Sequence, residues 1–123
     1  MNKEKILDLA EIIERNGNQI LEGTLNKKQY SQDKYLHPCG TPACIAGWAC
    51  WMNNPFDEWH EEVGKEGYKF WKTARRILGL SFYKARVLFD QDPFDGNYFP
   101  TAADAAATLR HLAETGKVEW RRA

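Results

Sequence analysis

The sequence predicts a single all-α domain over residues 1–123, with about five helices around a central helix rich in Cys, Ala, Gly and Trp. Three observations carry that prediction. Apolar residues recur three and four positions apart along most of the chain, which places them on one face of a helix. The ends of these stretches carry capping residues, Pro or Gly. No stretch of convincing length alternates apolar and polar residues as a half-buried strand does.

The elements follow in order. Asn2 is placed to cap a first helix, in which Ile6, Ala10 and Ile13 share a face with Leu9 beside them, and Gly17 can end it. Ile20, Leu21 and Leu25 read as a short second piece, and residues 26–38, with Tyr30, Tyr35 and Leu36 embedded, read as a polar loop. Thr41 is a cap and Pro42 a first helical residue for a helix reaching Met52, closed by Asn53-Asn54-Pro55. Residues 57–63 suit a short helical turn. Between Tyr68 and Leu78, the residues Phe70/Trp71, Ala74 and Ile77/Leu78 repeat at helical spacing. Gly79 then punctuates, Ser81 caps a helix over Phe82 to Phe89, and Asp90 to Pro100 form an acidic, aromatic loop. Thr101 and Asp104 have the spacing of a capping box in its Asp form. They open an alanine-rich helix to Thr115, which Gly116 ends. Val118-Glu119-Trp120 is a short tail expected to pack through Trp120.

The totals bound the function classes. A chain of 123 residues suits one domain with its own core. Lysine plus arginine and aspartate plus glutamate stand at 17 each, so the formal net charge is zero. Such a balance argues against broad, non-specific binding to nucleic acid or membrane, while allowing a local basic patch. Aromatic residues are 13% of the chain, enough for a compact core or for a pocket that stacks a planar ligand. The charged N-terminal stretch has no apolar core of a secretory signal, and no apolar run approaches membrane-spanning length. Three cysteines cannot all pair within one chain. Together these features predict a cytoplasmic protein with reduced thiols, not embedded in a membrane.

The segment from His37 to Trp51 holds all three cysteines and admits four readings. In the first it is a packing seam: Ala43, Ala46, Gly47 and Ala49 let another helix approach, free cysteine packs as a small hydrophobe, and Trp48 and Trp51 fill the space beside them. In the second it is a pocket wall. Thr41 caps the helix, the amides of Ala43 and Cys44 face an anion across Gly40, Trp48, Tyr35 or Trp71 stacks on a base, and Arg75 and Arg76 neutralise a phosphate. In the third, Cys44 is a nucleophile activated by the helix start, with His37, His60 or His111 as base. Papain-like enzymes use such an arrangement, but their local signature and their β-sheet are missing. In the fourth, His37, Cys39, Cys44 and His60 hold zinc, although structural zinc sites usually bring paired short spacings.

The run from Ala74 to Val87 resembles the core of helix-turn-helix DNA-binding domains through Ala74, Leu78, Gly79, Leu80, Ser81 and Ala85. That resemblance implies phosphate contacts from Lys84 and Arg86, and base contacts from Tyr83 or Lys84. Phe82 on the reading helix, the neutral total and the acidic residues Asp90, Asp92 and Asp95 count against it. Those aspartates do not form an EF-hand, because Phe94, Asp95 and Thr101 occupy positions where the calcium loop needs other residues.

The string Cys39-Gly40-Thr41-x-x-Cys44-Ile45-Ala46-Gly47-Trp48-Ala49 resembles a motif of small uncharacterised proteins of bacteria and their phages. The runs from Ile77 to Phe89 and from Thr101 to Trp120 resemble the same group, in the same order. The resemblance brings no established activity with it. Phage proteins of this size include inhibitors of host defence that bind a protein or sequester a nucleotide signal, an analogy of size and origin.

The expected function is therefore a non-enzymatic, phage-like accessory or counter-defence protein that binds a host protein or a small anionic, nucleotide-like ligand, without a cofactor. Its candidate ligand-binding residues are Gly40, Thr41, Cys44, Trp48, Trp71, Arg75 and Arg76. A helix-turn-helix regulator using residues 74–89 to contact DNA is the first alternative, and a cysteine enzyme or zinc protein the second. A homodimer is compatible with the aromatic richness.

Overall fold

The computed structural model describes residues 1–16, 44–53, 67–90, 93–94 and 100–123. The described residues form five helices and no strand: α1 (Lys3–Asn16), α2 (Ile45–Asn53), α3 (Gly67–Leu78), α4 (Phe82–Leu88) and α5 (Ala102–Thr115). The fold is all-α, as the periodicity predicts. The short piece expected at Ile20–Leu25, the loop at 26–38 and the turn at 57–63 lie outside the described residues. No described helix is long and apolar enough to cross a membrane.

Each boundary has a local cause. Asn2 caps α1, its Oδ1 accepting from the Lys5 amide at 3.2 Å. Its own amide donates to the Leu78 carbonyl at 2.9 Å, so one residue starts α1 and helps close α3. Ser81, extended at φ −65°, ψ 161°, starts α4, its Oγ accepting from the Lys84 amide at 3.2 Å. The capping box of α5 is complete: Thr101 Oγ1 accepts from the Asp104 amide at 3.2 Å, and Asp104 Oδ2 accepts from the Thr101 amide at 2.9 Å. Gly116, left-handed at φ 78°, stops α5 and donates its amide to Leu112 at 2.8 Å.

The cysteine helix starts later than its sequence suggests. The Trp48 amide donates to the Cys44 carbonyl at 2.9 Å, and Cys44 itself is not helical, so the helix runs from Ile45 rather than from Thr41. Its first amides thus belong to Ile45, Ala46 and Gly47, all buried. Burial continues without a break from Ile45 to Cys50, because the small residues Ala46, Gly47 and Ala49 leave no face for solvent.

Packing divides between two pairs. α1 lies chiefly on α5, and α2 chiefly on α3; α1 also meets α2 and α3, and α3 meets α4. The sequence suggests that the helix beginning at Thr101 packs round the cysteine helix, whereas α1 takes its main apolar face. The reason is complementary stripes: Ile6, Leu9, Ala10 and Ile13 of α1 and Ala105, Ala106, Leu109 and Leu112 of α5 are all fully buried. Alanines between leucines let the branched side chains of α1 seat closely. Each such Leu or Ile contributes roughly 1.5–3 kcal/mol of transfer free energy.

The tail docks as expected through Trp120, whose Nε1 donates to the Val87 carbonyl at 3.0 Å and whose ring meets Phe94 edge-on at 6.0 Å. Two buried polar residues of α5 hold the rest. Thr108 Oγ1 accepts from the Arg121 amide at 3.0 Å, and Asp104 Oδ1 from the Ala123 amide at 2.8 Å. This explains why a carboxylate and a hydroxyl occupy otherwise apolar positions: they satisfy tail donors that no helix partner reaches.

Candidate anion-binding cleft

The residues expected to bind a ligand fall in two different places. Trp71, Arg75 and Arg76 share α3, where Arg76 is exposed and Trp71 and Arg75 are half-buried. Cys44 and Trp48 lie in the core at 6% and 2% exposure, with Trp48 edge-on to Trp51 at 5.5 Å. Gly40 and Thr41 lie outside the described residues, as do His37, Cys39 and His60 of the zinc and nucleophile readings. Among the described residues no group of three metal-ligating side chains forms. Cys44 and Cys50 are both buried, and burial, with the neighbouring Cys44 adding to it, pushes the Cys50 thiol up to about 12. Cys50 therefore stays protonated and unreactive at neutral pH. His111 Nε2 sits 3.2 Å from a Glu119 carboxylate oxygen, which ties it to the tail.

The cleft is built at the end of α3. Ala74 and Leu78 face the core, so the helical repeat turns Lys72 and Arg76, four residues apart, outward. The helix then ends in a Schellman turn: the Leu80 amide donates to the Arg75 carbonyl at 3.1 Å and the Gly79 amide to the Arg76 carbonyl at 3.2 Å. That turn requires the positive φ of Gly79, 65°. It also folds Arg75 back on itself, so that Nε donates to the Leu80 carbonyl at 3.1 Å and the guanidinium lies 5.9 Å from the centre of the Phe82 ring. A guanidinium held by a carbonyl on one edge and a ring face on another is fixed in place before any ligand arrives.

Lys72, Arg75, Arg76, Gly79 and Leu80 line an open cleft of about 280 Å³. Among the described residues no carboxylate pairs with the cationic end of the cleft. Every ion pair among the described residues lies on α1, α5 or the tail, and none involves Lys72, Arg75, Arg76, Lys84 or Arg86. Part of this placement serves the helix, since basic residues in a last turn favour its dipole. Arg75 has a structural partner as well; Lys72 and Arg76 have none among the described residues.

Beside the cleft stands the Phe82 ring, and Tyr83 follows it on α4. Phe82 is 57% and Tyr83 74% exposed, and they are the large aromatic residues that the described surface leaves most open. The Phe82 ring is braced by Trp71 at 5.2 Å, and Trp71 in turn meets Phe89 edge-on at 6.1 Å. The rings expected to stack on a ligand thus serve other ends, Trp48 inside the core and Trp71 as a support.

Lys72 and the role of Phe82 are not evident from the motifs alone. A signal was nonetheless present: residues 67–89 contain six basic residues and no acidic one, so the rest of this neutral chain carries eleven basic and seventeen acidic residues. Charge segregation, invisible in the total, marks the hairpin. No protein-family model, no curated protein and no solved structure matches the chain.

Proposed function

We propose that the chain is a non-enzymatic binding protein that takes a phosphate-bearing, nucleotide-like anion in the Lys72–Arg75–Arg76 cleft. The observation that carries this reading is the convergence of three cations on one cleft with no carboxylate paired to them among the described residues. Arg75, pinned by Leu80 and Phe82, offers a preset planar donor, and Arg76 and Lys72 add mobile charge. The described lining offers cations to hold a ligand and no nucleophile or acid–base pair to turn it over, which supports a binding role. Sequestering a nucleotide signal, the counter-defence role that analogy with phage proteins of this size suggests, needs nothing more.

The test is calorimetry and thermal shift with ATP, GTP, a mononucleotide and inorganic phosphate at low salt, on the wild type and on Arg76→Glu. Saturable heat and stabilisation in the wild type, lost in R76E, are expected. Flat responses to every phosphate-bearing ligand, oligonucleotides included, would remove the reading. A second reading, a helix-turn-helix contact to duplex DNA, is favoured by the left-handed Gly79 between α3 and α4 and by the exposed Tyr83 and Arg86 on α4. A gel shift against a random duplex pool at low salt tests it, since even non-specific binding should appear there.

A further inference from the structure

We propose that the occupant of this surface is a single-stranded nucleic acid, with its phosphates along the basic residues of α3 and α4 and its unpaired bases stacked on Phe82 and Tyr83. The inference rests on the cleft's preference for phosphate and adds the polymer, the strandedness and the stacking residues.

The size of the cleft is the first argument. At about 280 Å³ and open to solvent, it falls just below the roughly 300–1,000 Å³ of sites that enclose a small molecule. Its described lining, three cations with Gly79 and Leu80, suits a phosphate group and offers an attached base no ring to stack on. The second argument is what lies next to it. The Arg75 guanidinium is 5.9 Å from the Phe82 ring centre, so a phosphate on that guanidinium has its own or a neighbouring base within reach of the ring. Tyr83 follows on the next position of α4, more exposed still. A ring braced by Trp71 at 5.2 Å and by a cation is an ordered platform, which lowers the entropy lost when a base settles on it.

The third argument is the extent of the charge. Basic residues continue past the cleft to Lys84 and Arg86 on α4, with no acidic residue between Gly67 and Phe89. One phosphate cannot occupy so many cations, whereas successive phosphates of a strand can. Interleaved cations and exposed rings are the pattern by which proteins hold single strands: the charge follows the backbone and the rings accept any base. A duplex fits less well. Its bases are already stacked, so Phe82 and Tyr83 gain nothing from it. α4, seven residues long, spans only about 10 Å and leads with Phe82, which can offer a base edge no hydrogen bond.

Fluorescence anisotropy with labelled oligothymidylate and oligouridylate, a labelled hairpin duplex, and competition by thymidine monophosphate and by inorganic phosphate tests the inference on the full chain at low salt. Both single strands are expected to bind at least about tenfold more tightly than the duplex. Phe82→Ala and Tyr83→Ala are each expected to weaken them about tenfold, and Tyr83→Trp to retain binding. Arg76→Glu is expected to abolish it. Because Phe82 touches Trp71, Tyr83→Ala carries the test if Phe82→Ala melts early. Binding lost in R76E but unchanged in Y83A, or a strand no tighter than the mononucleotide, would overturn the inference and leave the phosphate cleft standing. A dimer that both ring substitutions dissociate would overturn it in favour of a second copy on this face. No binding by strand, mononucleotide or phosphate would remove both.

Discussion

The α1–α5 pair and the α3–α4 hairpin solve opposite problems with the same kinds of residue. Both begin with polar caps and both contain a left-handed glycine. In α1–α5 every charge of consequence has an answer: Arg110 pairs with Glu14 across the two helices, and Asp104 is enclosed by two backbone donors. In α3–α4 no cation pairs with a carboxylate among the described residues, Lys72, Arg76 and Arg86 face solvent, and the rings of Phe82 and Tyr83 stand exposed. A region that satisfies itself specifies the fold. A region that leaves charge and ring surface unsatisfied, next to a rigid turn, has binding surface left to use.

If that division holds, the largest effect on stability comes from the α1–α5 side. Leu109→Ala, at a fully buried position, should lower the unfolding free energy by about 2–5 kcal/mol. Arg76→Glu should change it by less than about 0.5 kcal/mol. Urea denaturation of the two variants measures both. An equal loss in R76E would show that the hairpin cations are structural and break the comparison.

The caps sharpen it at the next level. Asp104→Ala removes the acceptor for the Thr101 and Ala123 amides together and should cost about 1–3 kcal/mol. Ser81→Ala removes one acceptor from the exposed start of a seven-residue helix and should cost about 1 kcal/mol, near the middle of the range for caps. Loss of tail protection in amide exchange should accompany D104A and be absent from S81A.

The two glycines make a finer contrast. A Cβ at Gly116 would meet nothing within 4 Å, so Gly116→Ala should cost only the left-handed backbone term, about 1 kcal/mol. A Cβ at Gly79 would come within 3.0 Å of the Asn2 amide nitrogen and 3.3 Å of the Met1 Cα, both backbone atoms that cannot swing aside. Gly79→Ala should therefore destabilise more than Gly116→Ala. Equal losses by thermal melting would mean that the start of α1 does not stay against the turn in solution.

These contrasts also show where the sequence was legible. Elements with local causes could be read directly: the Asn2, Ser81 and Thr101 caps and the Gly116 stop need only neighbours a few residues away. The start of α2 could not, because Thr41 and Pro42 are good local signals while Cys44 supplies the acceptor that opens the helix. The partner of α5 could not be read either, since an alanine-rich stripe suits any apolar helix and only the assembled fold chooses α1. The candidate site divides in the same way. Arg75 and Arg76 announce themselves by charge, but the exchange of roles between Trp71, which supports, and Phe82, which is presented, depends on how α4 turns back over α3.

The smallest expected effect concerns the ion pair that the hairpin lacks. Both terminal nitrogens of Arg110 donate to the Glu14 carboxylate, at 2.6 and 3.2 Å. That hydrogen bonding, then the positive charge itself, holds the Glu14 carboxyl below its ordinary value, with burial opposing weakly. A carboxylate with a lowered folded pKa stabilises the protein above its unfolded pKa of about 4.3, and that contribution is lost as pH falls through the lower folded value. Because both side chains are about half exposed, solvent and salt screen the pair, and its worth is about 0–1 kcal/mol. Glu14→Gln should therefore be slightly less stable than the wild type at neutral pH and low salt, with the difference vanishing in strong acid. No difference at neutral pH would show that packing of the Glu14 stem, which Gln keeps, and not its charge, joins α1 to α5. Arg76→Gln, which removes a cation with no paired carboxylate among the described residues, should show no such acid-dependent difference at all.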